Sequence, residues 1–132
     1  MGKLRLEKGS ITQKQGVLGE KIALAYLRLY GYRLLERNYT VGHKEIDLIM
    51  QKKDTVAFIE VKSGNRDKML PLNSRVDYAK RNNLVSAAKV YILRNAIKRK
   101  VFRFDIVEVY FKPLKINHII NAFYGSDYIR KR

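Results

Sequence analysis

Three charged residues lie within two short apolar segments, where a charge is costly. Asp47 lies in segment 45–50, and Glu60 and Lys62 lie in segment 55–62. Two carboxylates and an ammonium group in such surroundings need compensating charge, because an unpaired buried charge carries a large desolvation penalty. A bound metal ion and a phosphate group would supply it, so the pattern indicates metal-dependent chemistry on a phosphate.

Both segments have the composition of β-strands, with the polar residues 52–55 between them. The second segment is enriched in β-branched and aromatic residues, as strands are. Both of its alternating faces are largely apolar, which predicts a central strand covered on both sides of the sheet.

The register of the predicted hairpin determines whether the acids meet. A loop of residues 53–54 places Asp47 directly opposite Glu60, with their Cβ atoms about 5 Å apart. Two carboxylates at that distance repel each other, so we expect a divalent cation between them. Lys62 lies two residues beyond Glu60 on the same face, where it can hold a phosphate oxygen or orient a water. The same register places Glu45 opposite Lys62, as an accessory acid or, in the alternative interpretation, as half of a plain salt bridge.

The composition is that of a basic globular chain. Its 132 residues are 46% hydrophobic, enough for one domain with a core. Lys and Arg number 28 against 12 Asp and Glu, a net charge of +16, which predicts attraction to a polyanion such as nucleic acid. The absence of cysteine excludes disulfides and thiolate zinc sites. No apolar run approaches about 20 residues, so we expect no membrane span and a cytoplasmic location.

Hydrophobic periodicity predicts the order helix, three strands, helix, two strands. The predicted helices are 16–30 and 76–94, and the predicted strands are 32–39, 45–50, 55–62, 101–111 and 115–123. This order predicts an α/β protein with a mixed central sheet flanked by helices. Residues 15–124 form the predicted domain, between a flexible basic arm over 1–14 and a basic tail over 125–132.

Further charged residues are predicted near the site. Glu20 on the first helix points inward or is a first-turn acid favoured by the helix dipole. Lys80 and Arg81 fall on the core side of the second helix. In one interpretation they meet an acid or a ligand there, and in the other their side chains extend past the edge of the core. Three residues of the connection after the third strand are candidate phosphate contacts or simply solvated: Arg66, Lys68 and Arg75.

A set of residues spread over 15–124 matches a known family. The matching positions are 19–20, 36–39, 45–49, 60–62, 71, 80, 103–105 and 117–123. On these residues the chain resembles the YraN/UPF0102 family, an endonuclease-like group of the PD-(D/E)XK superfamily. Two places depart from the family pattern: Lys44 replaces a usual Gly, and Ser63-Gly64 replace a usual Thr-Arg pair. Arg66 is the candidate substitute for the missing arginine.

The resemblance implies a restriction-endonuclease-like core (αβββαβ), similar to that of archaeal-type Holliday junction resolvases. It also implies a Mg²⁺ or Mn²⁺ cofactor and DNA, rather than RNA, as the partner. The residues that it implies are the metal ligands Asp47, Glu60 and the Val61 carbonyl, the catalytic lysine Lys62, the accessory acid Glu20 and the phosphate contact Lys80.

These observations predict a metal-dependent nuclease that hydrolyses DNA phosphodiesters. Branched or junction DNA is a candidate substrate and a homodimer is a candidate assembly, by analogy with the resolvases. Two other functions stay open from the sequence. One is a non-catalytic nucleic-acid-binding module on the same fold, and the other is a structural protein associated with RNA or the ribosome.

Overall fold

A computed structural model describes the backbone of residues 2–65 and 78–125 and the side chains of residues 13–65 and 78–125. The elements in these ranges are α1 (Gly2–Leu29), β1 (Arg33–Val41), β2 (Lys44–Lys52), β3 (Thr55–Asn65), α2 (Tyr78–Arg94), β4 (Val101–Phe111) and β5 (Lys115–Phe123). In the part of the chain that is described, neither helix combines the length and apolar character that a membrane span requires.

The five strands form one mixed sheet in the order β1-β2-β3-β4-β5. β3 and β4 are parallel and are connected through α2, whereas the other neighbouring strands are antiparallel. The protein therefore has an α/β fold with β3 in the middle of a sheet that carries a helix on each face. This arrangement confirms the predicted fold class and is consistent with a restriction-endonuclease-like core.

The β2–β3 hairpin has the predicted register. Its loop is residues 53–54, and its ladder ends with Leu48 opposite Ile59. Asp47 and Glu60 are the next residues outward on the two strands. They therefore lie just beyond the last paired positions, where the strands no longer follow the regular ladder.

Two hydrophobic cores, one on each face of the sheet, fix the direction of the β3 side chains. Val56 and Phe58 pack against α2 in one core, and Ala57 and Ile59 pack against α1 in the other. Because side chains alternate along a strand, Glu60 belongs to the face that α2 covers. The predicted burial of β3 on both faces is thus confirmed.

The first helix begins at Gly2, well before the predicted start at Gly16. Residues 2–15 include Lys, Leu, Glu and Gln, which favour helix, but their hydrophobic spacing is too irregular for periodicity to identify a helix there. Glu20 therefore lies far from the first turn, and its interpretation as a dipole-stabilised first-turn acid is wrong. The flexibility of residues 1–14 stays a prediction.

Gly19 permits a close approach between α1 and the outer end of β3. A Cβ atom built on Gly19 would lie 2.8 Å from Cβ and 3.0 Å from Oγ of Ser63. Such distances are below normal van der Waals contact, so only glycine fits without a shift of the helix. The contact holds the following residue, Glu20, beside the end of β3 at which Glu60 lies.

A buried carboxylate joins β4 and β5 to the start of β1. Asp105 is 0% exposed. It accepts hydrogen bonds of 2.8–3.2 Å from the Arg103 guanidinium and one of 3.1 Å from the backbone N–H of Asn121, and Nε2 of His118 lies 2.8 Å from its Oδ2. Arg103 also donates to the Tyr32 hydroxyl at 2.6 Å. Burial opposes ionisation of Asp105, but the bonds with His118 and Arg103 outweigh it and hold its pKa below the usual range.

We predict that Gly19→Ala destabilises the protein whereas Gly16→Ala does not. The added methyl group at Gly19 forces α1 away from Ser63 and should lower the free energy of unfolding by roughly 1–3 kcal/mol. Nothing lies within 4 Å of a Cβ at Gly16, so alanine there should stabilise the helix by about 0.5–1 kcal/mol. Urea denaturation of both variants measures the difference, and equal effects of the two substitutions would contradict the close approach.

Candidate functional site

The centre of the candidate site is the carboxylate of Glu60, which is 4% exposed. Its Oε2 atom lies 3.3 Å from Nζ of Lys62 and 2.9 Å from Nζ of Lys80. Lys62 shares a face with Glu60 because it follows two residues later on β3, and Lys80 comes from the first turn of α2, which covers that face. The two ammonium groups offset the charge that Glu60 brings into the protein.

Asp47 is the second acid of the site. The backbone N–H of Val61 donates to its Oδ2 atom at 2.8 Å, beyond the end of the β2–β3 ladder. The pKa of Asp47 is raised to about 7. Burial is the larger cause of this rise, and repulsion by the Glu60 carboxylate is the second. The structure therefore brings the two acids within electrostatic reach of each other, with the Val61 main chain beside them.

Glu20 and Glu45 border this pair and are joined through Asn38. With its side-chain nitrogen turned towards the acids, Asn38 donates to Oε1 of Glu20 at 3.1 Å and to Oε2 of Glu45 at 3.3 Å. Burial raises the pKa of Glu20, and repulsion by Glu45 raises it further. The attraction of Arg37 and the hydrogen bond from Asn38 lower it, but they do not cancel the rise. Glu60 also contributes to the rise, so all of these acids belong to one electrostatic neighbourhood.

The two lysines differ in burial and in charge. The Lys62 side chain is 16% exposed and that of Lys80 is 51% exposed. Burial lowers the pKa of Lys62, and its hydrogen bond with Lys80 adds to that effect. Burial also acts against the charge of Lys80, but its bonds to Glu60 and Lys62 outweigh burial and raise its pKa. The surroundings therefore favour the charged form of Lys80, whereas they disfavour the charged form of Lys62 relative to an exposed lysine.

In the alternative interpretation of the hairpin, Glu45 is not an accessory acid and simply forms a salt bridge with Lys62. Among the side chains that the structure describes, Lys62 forms its ion pair with Glu60 instead. Glu45 is exposed and contacts Asn38. The simple cross-strand pair is therefore not what holds Lys62 in place.

Arg81 is the other predicted phosphate contact that falls in the described part of the chain, and its contact there is with Phe123. The guanidinium carbon of Arg81 lies 5.0 Å from the centre of the Phe123 ring, a cation–π contact at the edge of the α2 core. This packing agrees with the second interpretation of Arg81 from the sequence, in which its side chain extends past the edge of the core. The candidates Arg66, Lys68 and Arg75 fall within residues 66–77, outside the described part of the chain.

Sequence reasoning missed two residues near the site. Asn38 has a φ of 50°, in the left-handed region that Asn tolerates better than most residues, but nothing in the local pattern linked it to Glu20.

Glu108 on β4 is 2% exposed and is the lateral neighbour of Lys62 in the parallel ladder. It accepts a hydrogen bond of 2.8 Å from Asn117. Since α2 and its connections separate β3 from β4, no turn fixes their register in the sequence.

The donor atoms fit a hard divalent cation. Oδ2 of Asp47 and Oε2 of Glu60 are engaged by the Val61 N–H and the lysines, which leaves Oδ1 and Oε1 as candidate ligands. Carboxylate oxygens are ligands that Mg²⁺ and Mn²⁺ prefer. Within the described residues no three His, Asp or Glu side chains are already arranged around a metal position. A cation here would need main-chain or water oxygens to complete its coordination, and the Val61 carbonyl is the main-chain ligand that the family resemblance implies.

We predict that Asp47→Asn stabilises the metal-free protein at alkaline pH. The pKa of Asp47 is about 7 in the folded protein and near 3.8 in the unfolded chain, so its ionisation weakens the fold as pH rises between these values. Asparagine keeps an oxygen for the Val61 N–H without the charge. In the presence of a chelator, the variant should gain on the order of 1–3 kcal/mol at pH 8, and the gain should vanish near pH 4.

The control for this prediction is Asp54→Asn, which neutralises an exposed carboxylate in the β2–β3 loop. Its stability relative to the unsubstituted protein should change little with pH. A gain for Asp47→Asn that is the same at pH 4 and pH 8 would contradict the electrostatic origin of the effect.

Comparison with known proteins places the chain in a family. Residues 19–109 match the profile of "Uncharacterised protein family UPF0102". A UPF0102 protein of Clostridioides difficile is 39% identical over 112 residues, which cover 85% of this chain and 98% of that protein. A UPF0102 protein of Caldanaerobacter subterraneus is 42% identical over 113 residues, covering 82% of this chain and 93% of that protein.

The chain also resembles solved structures. Among them, the crystal structure of SSO0001 aligns with 96% of this chain and 65% of its own, with a TM-score of 0.34 and 17% identity. The family assignment rests on the sequence relatives, which match over most of their own length. The chain belongs to the UPF0102 family.

Proposed function

We propose that this UPF0102 protein is a metal-dependent nuclease that hydrolyses DNA phosphodiesters. The observation that carries the proposal is the cluster of Asp47, Glu60 and Lys62 on the inner strands with Lys80 on α2, in a chain with a net charge of +16. Perturbed and buried charges of this kind concentrate at functional sites. A purely structural domain has no need of two mutually repelling acids beside its central strand.

Asp47 and Glu60 would hold Mg²⁺ or Mn²⁺ through the oxygens that the Val61 N–H and the lysines leave available. The Val61 carbonyl would be a third ligand. When bound, the cation would lower the pKa of a water molecule and stabilise negative charge on the phosphate. The positive charge would also relieve the repulsion that raises the pKa of Asp47.

The two lysines have different parts in this proposal. Lys62 is held by its position on β3 and is 16% exposed, so it can present a fixed ammonium to the reacting phosphate or, in its neutral form, accept a proton from a water. Burial and the neighbouring Lys80 lower its pKa, which favours the neutral form relative to an exposed lysine. Lys80 is half exposed at the start of α2, where it can reach a neighbouring phosphate. Glu20 and Glu45, joined by Asn38, would add negative charge at the border of the site.

The surface charge supports a polyanionic substrate. Of the described Lys and Arg side chains, Lys62, Lys80 and Arg103 form ion pairs with carboxylates. Arg94, Lys98 and Arg99 are examples of exposed cations outside these pairs, and they are available to phosphates. DNA rather than RNA, and branched or junction DNA in particular, follows from the resemblance described above.

A non-catalytic nucleic-acid-binding module is the second candidate. One observation favours it: the lysines already neutralise Glu60, so the fold tolerates its buried acid without a metal ion. Under this alternative, DNA affinity would be the same with a chelator and with Mn²⁺. The same set of variants separates the two candidates.

We predict Mn²⁺-dependent cleavage of labelled DNA that is lost when either acid is neutralised. Asp47→Asn and Glu60→Gln keep the size of the side chain and remove its charge, and each should slow cleavage by at least roughly 100-fold. Linear duplex, single strands and a four-way junction should be compared. The matched control is Lys89→Gln, which changes an exposed residue of α2 outside the cluster and should leave cleavage within about twofold.

Two results would contradict the proposal. One is the absence of cleavage of every substrate in Mn²⁺ and in Mg²⁺ while the protein is folded, and the other is cleavage that survives in Asp47→Asn. DNA affinity measured in parallel should fall steeply as salt concentration rises, since phosphate contacts release counterions. A flat salt response would count against both candidates.

A further inference from the structure

The carboxylate of Glu60 holds two ammonium groups at a single oxygen. Nζ of Lys80 lies 2.9 Å from Oε2 and Nζ of Lys62 lies 3.3 Å from the same atom. A divalent cation bound to Glu60 would sit about 2.0–2.2 Å from a carboxylate oxygen. The cation and both ammonium groups would then crowd around one carboxylate, with strong repulsion between like charges. Departure of one lysine from Glu60 would remove part of this repulsion and favour the binding of the metal ion.

The burial of the two side chains identifies the lysine that can leave. Lys62 is 16% exposed and lies on the central strand, where its movement is restricted by the sheet and by α2. Lys80 is 51% exposed, and its flexible stem starts in the first turn of α2. Rotation of the Lys80 side chain moves its charge into solvent, whereas Lys62 has nowhere comparable to go.

A phosphate group is the natural acceptor for the displaced ammonium. The Lys80 side chain is half exposed and paired with a carboxylate, as expected of a charged ammonium group. The site lies in a chain of net charge +16, which attracts polyanions. A backbone phosphate beside α2 would offer Lys80 a second ion pair in exchange for the first.

We infer that Lys80 is a gate that closes the metal site in the free protein and opens it when a nucleic-acid phosphate binds. In the closed state Lys80 is paired with Glu60. In the open state Lys80 is paired with a phosphate, and its charge no longer repels a cation that binds Glu60. The inference rests on the proposed function in one respect, namely that Asp47 and Glu60 bind a divalent cation.

The gate couples the two ligands. Because each ligand favours the open state, DNA should raise the affinity for the cation, and the cation should raise the affinity for DNA by the same factor. Couplings of this kind commonly amount to roughly 5–150-fold. A site without the gate would bind each ligand nearly independently.

The test is a titration of the DNA-free protein with Mn²⁺ by isothermal calorimetry. Lys80→Gln cannot form the ion pair with Glu60 and should bind Mn²⁺ at least about fivefold more tightly than the unsubstituted protein. Lys89→Gln removes the same charge from an exposed position of the same helix and should have little effect. Lys80→Arg keeps a cation beside Glu60 and should bind Mn²⁺ as weakly as the unsubstituted protein.

The second arm measures the affinity for a phosphorothioate duplex that resists cleavage, by fluorescence anisotropy with Mn²⁺ and with a chelator. Mn²⁺ should tighten DNA binding by the unsubstituted protein and by Lys89→Gln, and this enhancement should shrink in Lys80→Gln. Equal Mn²⁺ affinity in Lys80→Gln and Lys89→Gln would overturn the gate, as would Mn²⁺ binding that is undetectable in every variant. If the predicted Mn²⁺ affinities are observed but no DNA is cut, the gate stands and the proposed nuclease activity fails.

Discussion

The burial of one carboxylate on the central strand is the constraint on which this site depends. Glu60 is almost fully enclosed, and a charge in that position must be compensated by a partner of opposite sign. Lys62 and Lys80 provide this compensation from the same strand and from the helix above it. The neighbouring Asp47 accepts a hydrogen bond from the Val61 N–H, and its pKa is raised first by burial and second by repulsion from Glu60. The charge of Glu60 is therefore compensated, whereas the ionisation of Asp47 is opposed by its surroundings.

The parts of this arrangement that follow from local rules could be predicted from the sequence. A two-residue loop fixes the register of a hairpin, so the polar break at residues 53–54 determined that Asp47 and Glu60 approach each other. Strand alternation then placed Lys62 on the same face as Glu60. The apolar composition of both faces of β3 predicted its central position in the sheet, and periodicity gave the extents of β4 and β5.

The parts that depend on packing between distant elements could not be predicted in the same way. The ion pair of Lys80 with Glu60 requires the angle at which α2 crosses the sheet, which no local pattern encodes. The position of Glu20 requires the close contact of Gly19 with Ser63. This contact can be recognised only when the positions of both backbones are known. The polar network around Asp105 joins β4, β5 and the start of β1, and it likewise arises from tertiary contacts.

The central claim is that Asp47 and Glu60 form a cation site that Lys80 closes in the free protein. Anomalous diffraction from crystals soaked in Mn²⁺ tests this claim most directly, because it locates the metal without reference to activity. The account predicts a peak within coordination distance of an oxygen of Asp47 and an oxygen of Glu60, about 2.0–2.3 Å from each, with the Lys80 ammonium moved away from Glu60. A crystal saturated with Mn²⁺ that shows no peak between these two residues, with Lys80 still paired to Glu60, would contradict it.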